Sequence, residues 1–287
     1  MDEKGESRAA THGEQLRNRK DHWLPRGYQR GFVGPSRASR FRPLWCFFTH
    51  TQNWEEKSPS EIAYGEGFYD YADGTDYSTA THPDSAFAHL EREFPLRRED
   101  MSAGRFANWE QHKDFLLEFM QMMRARSPLA MQQQEAEARN LRGATITEVH
   151  PDGRTLTLDS PELRPLPEHA IRNITISRML QQVQAGASWM SPLDWCLRYA
   201  EKEDDPYCTS DQALFLIGTV KDPQITMNFL NHPDTVLIFP LCWQACLFGS
   251  TRRFDKSYDR AHPVQLRSIR SDQKRFANRF VVSPVAF

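Results

Sequence analysis

The chain reads as an α+β domain, with a mixed or antiparallel sheet packed against several helices, and three observations carry that prediction. Apolar runs of strand length recur, stretches with helical periodicity lie between them, and the spacing is too uneven for the repeated βαβ units of a doubly wound parallel sheet. With 287 residues the chain is long enough to bury a substantial core. Residues 21–287 are read as one domain, behind a leader at 1–20 that is polar, charged and almost free of apolar side chains. The leader lacks the apolar centre of a secretory signal.

Taken in order, Phe41 to Phe48 reads as a buried strand, and Tyr64 to Tyr77 as a short strand running into a loop. Asp84 is placed to cap a helix through Phe87, Leu90 and Phe94, with Pro95 marking its end. Phe106 to Arg126 carries the strongest helical pattern. Trp109, His112, Leu116, Phe119, Met120 and Met123 recur three and four apart and share one stripe, with Arg126 on the same face at the C-terminal end. A β-hairpin is predicted at 143–159 around Pro151-Asp152-Gly153. A helix is predicted from Glu168 to Gln184. Glu201 to Asp205 reads as a charged loop, and Ala213–Val220, Thr235–Leu241 and Phe280–Val282 as strands. A basic helical stretch spans Arg267 to Arg279.

Composition excludes more than it selects. The formal net charge of −2 gives no global pull toward nucleic acid or acidic membranes, so a nucleic-acid role requires a local basic face. Arg267, Arg270 and Lys274 share a helix face that reads either as solvated surface or as a phosphate-tracking strip. The five cysteines, Cys46, Cys196, Cys208, Cys242 and Cys246, contain no Cys-x-x-Cys pair and no zinc spacing. Reduced, core-packed thiols in the cytoplasm are expected, with no metal site. No apolar run is long enough to span a membrane. The nucleophile elbow, the Walker loop, the dinucleotide-binding glycines and the zincin motif are all absent. The cofactor is left open.

Three separated patches stand out from this background. The first is His22-Trp23-Leu24-Pro25-Arg26-Gly27-Tyr28 through Phe32, the second Thr209-Ser210-Asp211, and the third Phe239-Pro240-Leu241. Other marks fall between and beyond them: Leu44 to Phe48, Ile62 to Tyr69, Leu90-Glu91, Arg126-Ser127-Pro128, Trp195, and Arg279 to Ser283. In this order they resemble the domain of unknown function 4238 family over Asp21 to Pro284. That resemblance supplies no chemistry. Asp211-Gln212-Ala213 departs from the family's usual Asp-Asn-Pro, which frees a backbone N–H and relaxes the turn.

Candidate chemistry follows from residue type. His22 can exchange a proton near neutral pH and is the first candidate for general acid or base work, with a hydrogen-bonded structural role as the alternative. Asp211 can orient it, or can simply hold a turn. Arg126, at the end of a buried stripe, needs an anion, whether a protein carboxylate such as Asp211 or Glu91 or a ligand. Thr209, Ser210 and Tyr28 are candidate substrate contacts. Converged, such a set suits a hydrolase acting on a phosphate-containing substrate, a nuclease or phosphodiesterase. The partner class is then a phosphate-containing ligand or nucleic acid, with no membrane involved. The alternative is a non-catalytic binding or scaffold protein whose motifs hold the fold.

Overall fold

In chain order the computed structural model gives β1 (Lys20–His22), a one-turn helix α1 (Arg26–Gln29), β2 (Leu44–Phe48), β3 (Asn53–Lys57) and β4 (Tyr64–Glu66). A helical middle follows with α2 (Pro83–Ala103), α3 (Lys113–Ala125) and α4 (Pro128–Arg139), then the hairpin β5 (Ile146–Val149) and β6 (Thr155–Leu158), and α5 (Glu168–Gln184). The last part holds β7 (Asp194–Tyr199), β8 (Thr209–Ser210), β9 (Phe215–Ile217), β10 (Val236–Cys242), β11 (Ala245–Ser250), β12 (Tyr258–Arg260), α6 (Pro263–Phe276) and β13 (Phe280–Ser283). The structure describes residues 20–72, 83–141, 146–149, 155–158, 166–218 and 232–287. The expected leader lies outside these residues except for Lys20, which opens β1.

Two main sheets carry the core. One has the order β12-β7-β11-β10-β9 and is antiparallel except where β12 runs parallel to β7. The other, β3-β2-β13-β8, is antiparallel throughout and joins the N-terminal strands to the last one. The α+β class therefore holds, with a mixed and an antiparallel sheet packed against helices. Leu44, Met123, Leu197, Leu237 and Val282 belong to one buried apolar cluster that runs between the sheets and α3. Each such side chain contributes roughly 1.5–3 kcal/mol on removal from water.

Local sequence accounts for several element ends. Ser127 caps α4 by accepting from Ala130 N, and Pro128 at the first helical position loses no intrahelical bond. His262 and Pro263 open α6 in the same way, with Nδ1 accepting from Val264 N. All five cysteines are free and buried, as core packing required, and burial pushes the Cys46 and Cys208 thiols up to about 12.

Three expected elements are corrected. The strand expected from Phe41 starts at Leu44, because Pro43 has no N–H to give a ladder and Phe41 stands 86% exposed. Pro95 does not end its helix, and Asp84 lies in the first turn of α2 rather than before it. The missing N–H at Pro95 leaves the Glu91 carbonyl without its intrahelical donor, and α1 packs at that point. A Cβ on Gly27 would meet Pro95 Cγ at 2.8 Å and the Glu91 carbonyl at 3.6 Å, so only glycine allows the approach. The helix expected from Phe106 becomes regular at Lys113, because Arg105 and Phe106 turn the chain at φ of 50° and 64° and a 3-10 turn at Trp109–His112 follows. The stripe itself is buried as expected.

Candidate functional site

The three sequence patches meet at one hydroxyl. Tyr28 on α1 has no exposed surface. Its phenol donates to the Pro240 carbonyl at 2.6 Å and lies 3.0 Å from Thr209 Oγ1. Pro240 belongs to the five-stranded sheet and Thr209 to the four-stranded one, so a single side chain pins both sheets to the N-terminal segment. Its ring stacks on Phe239 and touches Phe32, Phe94 and Phe119. Burial pushes the Tyr28 phenol well above its ordinary value, so it stays neutral and able to donate. Ser210 is also fully buried and closes a local turn, donating to the Gln212 carbonyl and accepting from Gln212 N. Tyr28, Thr209 and Ser210 thus face protein groups.

Arg126 finds its anion inside the protein. At the C-terminal end of α3 it is 1% exposed. Its guanidinium donates to Glu91 on α2, to the Tyr69 hydroxyl at 2.9 Å and to the main-chain carbonyl of His22. The Phe87 and Tyr69 rings flank it at 4.9 and 5.3 Å from their centroids. Burial works against the charge, but Tyr69 and Glu91 outweigh it and raise the Arg126 pKa. Of the two carboxylates expected as partners, Glu91 is the one present. Three acceptors at different angles need the planar fork of arginine. The result fixes β1 against α2 and α3, and with it the position of His22.

Around that anchor lies an open cleft of about 510 Å³, lined by Lys20, His22, Arg26, Gly27, Arg30, Ala88, Glu91, Arg92 and Arg126. Arg126 and Glu91 neutralise each other. Lys20, Arg26, Arg30 and Arg92 remain, all exposed and without an ion pair among the described residues. In a chain of net charge −2 these four side chains form a local basic face. His22 stands at its edge with its ring 5.7 Å from that of Tyr64.

The structure assigns Asp211 to a different set of contacts. Its carboxylate accepts from Asn278 N at 3.1 Å and Arg279 N at 3.0 Å, which closes the chain between α6 and β13. Desolvation pushes this carboxyl up to about 6, with the two N–H donors pulling the other way. Because the folded value is raised, the native state keeps the proton over a window where the unfolded chain has lost it. The contribution to stability is therefore present at low pH and is lost as pH rises from about 4 to about 6. Asp211→Asn is expected to flatten that leg by about 2–3 kcal/mol in urea unfolding followed against pH, and identical slopes would refute the assignment. His22 and Arg126 thus line one cleft, whereas Asp211 is not among the residues that line it.

The basic face expected on α6 takes another form. Arg270 is buried and bonds Asp205 at 2.6 Å, and Lys274 Nζ sits 3.9 Å over the Phe47 ring. Two of its three cations are therefore spent on the protein, and the phosphate strip is withdrawn.

A family model described as a protein of unknown function, DUF4238, matches residues 20–284. The chain belongs to the DUF4238 family. No curated protein and no solved structure matches it. In this DUF4238 member, the cleft cations Lys20, Arg26, Arg30 and Arg92 escaped sequence reasoning. Arg26 and Arg30 lie four apart around the patch already singled out, and that spacing was the available signal. Arg92 comes alongside only through the packing of α1 on α2 at Pro95. Among the described residues no group of histidine, cysteine and carboxylate side chains is arranged to hold a metal, and no helix is long and apolar enough to cross a membrane.

Proposed function

We propose that the cleft between β1, α1 and α2 binds a phosphate-containing ligand and that the chain is a hydrolase of the phosphodiesterase or nuclease class. One observation carries this reading: four exposed cations without ion pairs among the described residues share the lining of one cleft with His22, where the only carboxylate lining it is bound to Arg126. The cations would offset the charge that spreads over the phosphoryl oxygens in the transition state. His22 is assigned the proton transfer, taking a proton from the attacking water and returning one to the leaving alcohol. Arg126 acts by positioning His22 through its carbonyl. Five free thiols favour a cytoplasmic setting. The second reading, a binding protein without chemistry, is favoured by the engagement of Asp211 with backbone N–H groups, which leaves it no orienting role toward His22.

The test combines binding of inorganic pyrophosphate with hydrolysis of bis(4-nitrophenyl) phosphate. Pyrophosphate is expected to bind more weakly as salt rises from about 50 to about 200 mM. Arg30→Gln and Arg92→Gln are each expected to reduce affinity about three- to fivefold. His22→Gln should abolish diester hydrolysis with little change in pyrophosphate affinity. Binding without hydrolysis establishes the second reading. Absence of binding, or binding indifferent to salt and to both arginine variants, refutes the cleft.

A further inference from the structure

A second cleft adjoins the first across the β1–β4 ribbon. In its register His22 lies opposite Tyr64 and Lys20 opposite Glu66, so these side chains share one face. Lys20 Nζ stands 4.3 Å over the Tyr64 ring centroid. Lys20 and His22 line the basic cleft, while Tyr64 lines the other, an open depression of about 410 Å³. The Tyr64 ring is therefore the boundary between them.

The chemistry of the second cleft is different. Its walls include Trp23, Phe48 and Tyr64, and its polar members include His50, Asn278 and Arg279, which are all exposed. The Arg279 guanidinium is held over the Trp23 face at 5.1 Å, and the His50 ring stands edge-on to Phe48 at 5.8 Å. The Asn278 side-chain amide has no hydrogen-bond partner among the described residues; the bond that fixes this residue uses its main-chain N–H. The half-buried Phe48 and Tyr64 rings, with amide, imidazole and guanidinium groups at the rim, suit a planar heterocycle, which stacks on a ring and offers its edge to the polar groups.

We infer that this aromatic cleft is a base subsite, so that the ligand of the basic cleft is a nucleotide unit, its phosphate beside Lys20 and His22 and its base against Tyr64. The inference rests on the phosphate reading of the first cleft and narrows it. A nucleotide unit is available as free mononucleotide or within a single strand, and the same geometry serves both.

Equilibrium titration of the full chain with adenosine 5′-monophosphate, uridine 5′-monophosphate, ribose 5-phosphate and a short thymidylate strand tests it. Both mononucleotides are expected to bind about tenfold more tightly than ribose 5-phosphate, the gain that stacking of one base supplies. Tyr64→Leu should remove the difference in affinity between the mononucleotides and ribose 5-phosphate, whatever it does to the ribose 5-phosphate affinity through Lys20. His50→Ala, at an exposed position, tests the rim without touching the core and should lower mononucleotide affinity alone. A thymidylate strand that binds more tightly than uridine 5′-monophosphate identifies single-stranded nucleic acid as the source, and equal affinity identifies the free nucleotide. If ribose 5-phosphate binds as tightly as the mononucleotides, the base subsite is refuted and the phosphate cleft stands. If none of these phosphates binds, both fall.

Discussion

Arg126→Met is expected to lower unfolding stability by about 3 kcal/mol, measured by urea titration with tryptophan fluorescence. Methionine keeps much of the apolar stem between Phe87 and Tyr69, so the loss falls on the polar contacts. The Tyr69 hydroxyl and the His22 carbonyl each lose a charged donor in an enclosed place. Glu91 loses less, because it is about one-third exposed and can turn to water. Arg126→Lys should rescue little of this, since one ammonium cannot reach three acceptors arranged for a planar fork. A second readout is available in the cleft. With Arg126 gone, the Glu91 carboxylate is released toward Lys20, Arg26, Arg30 and Arg92 and offsets part of their charge, so pyrophosphate affinity should fall as well. A stability change below about 1 kcal/mol would show that the network is incidental.

Tyr28→Ala should be costlier still, at about 4 kcal/mol, because it removes a fully enclosed aromatic ring from contact with Phe32, Phe94, Phe119 and Phe239. Tyr28→Phe separates the ring from the hydroxyl. It keeps the packing and deprives the Pro240 carbonyl of its donor, for an expected loss of about 1–3 kcal/mol. Thr209→Val in the Tyr28→Phe background provides the cycle, since removal of both partners should cost less than the sum of the single changes. Full additivity would mean that the 3.0 Å contact between the two hydroxyls contributes nothing.

Much of this architecture was legible because the information was local. The helix Glu168–Gln184 and the hairpin strands announce themselves by periodicity and turn residues, and the burial of the Trp109 to Met123 stripe follows from its spacing. β3 was not legible. Asn53-Trp54-Glu55-Glu56-Lys57 is an edge strand whose polar side chains hide its alternation, and the ladder to β2 makes it a strand. α4 failed for a related reason, because Gln132-Gln133-Gln134 interrupts its apolar face. At the site, residue types drew attention to His22 and Arg126, and the need of Arg126 for an anion, of the protein or of a ligand, followed from the cost of burying a lone charge. The position of Asp211 did not follow. Its spacing to Asn278 and Arg279 is set by how β8 and β13 pair, which no local pattern encodes. The four free cations were equally silent, because surface arginines are common and only the approach of two helices makes these a group.

The long reach of Tyr28 bears on the order in which the chain assembles as it is made. Its hydroxyl waits for a carbonyl 212 residues further on. At about 5–20 residues per second, synthesis takes roughly 10 to 40 s to deliver that partner. The contacts of Arg126 need no such delay, because His22, Tyr69 and Glu91 all precede it and are present once residue 126 has emerged. The N-terminal arm can therefore be latched to α2 and α3 early, with the Tyr28 hydroxyl held ready while the sheet strands that will receive it have yet to be synthesised.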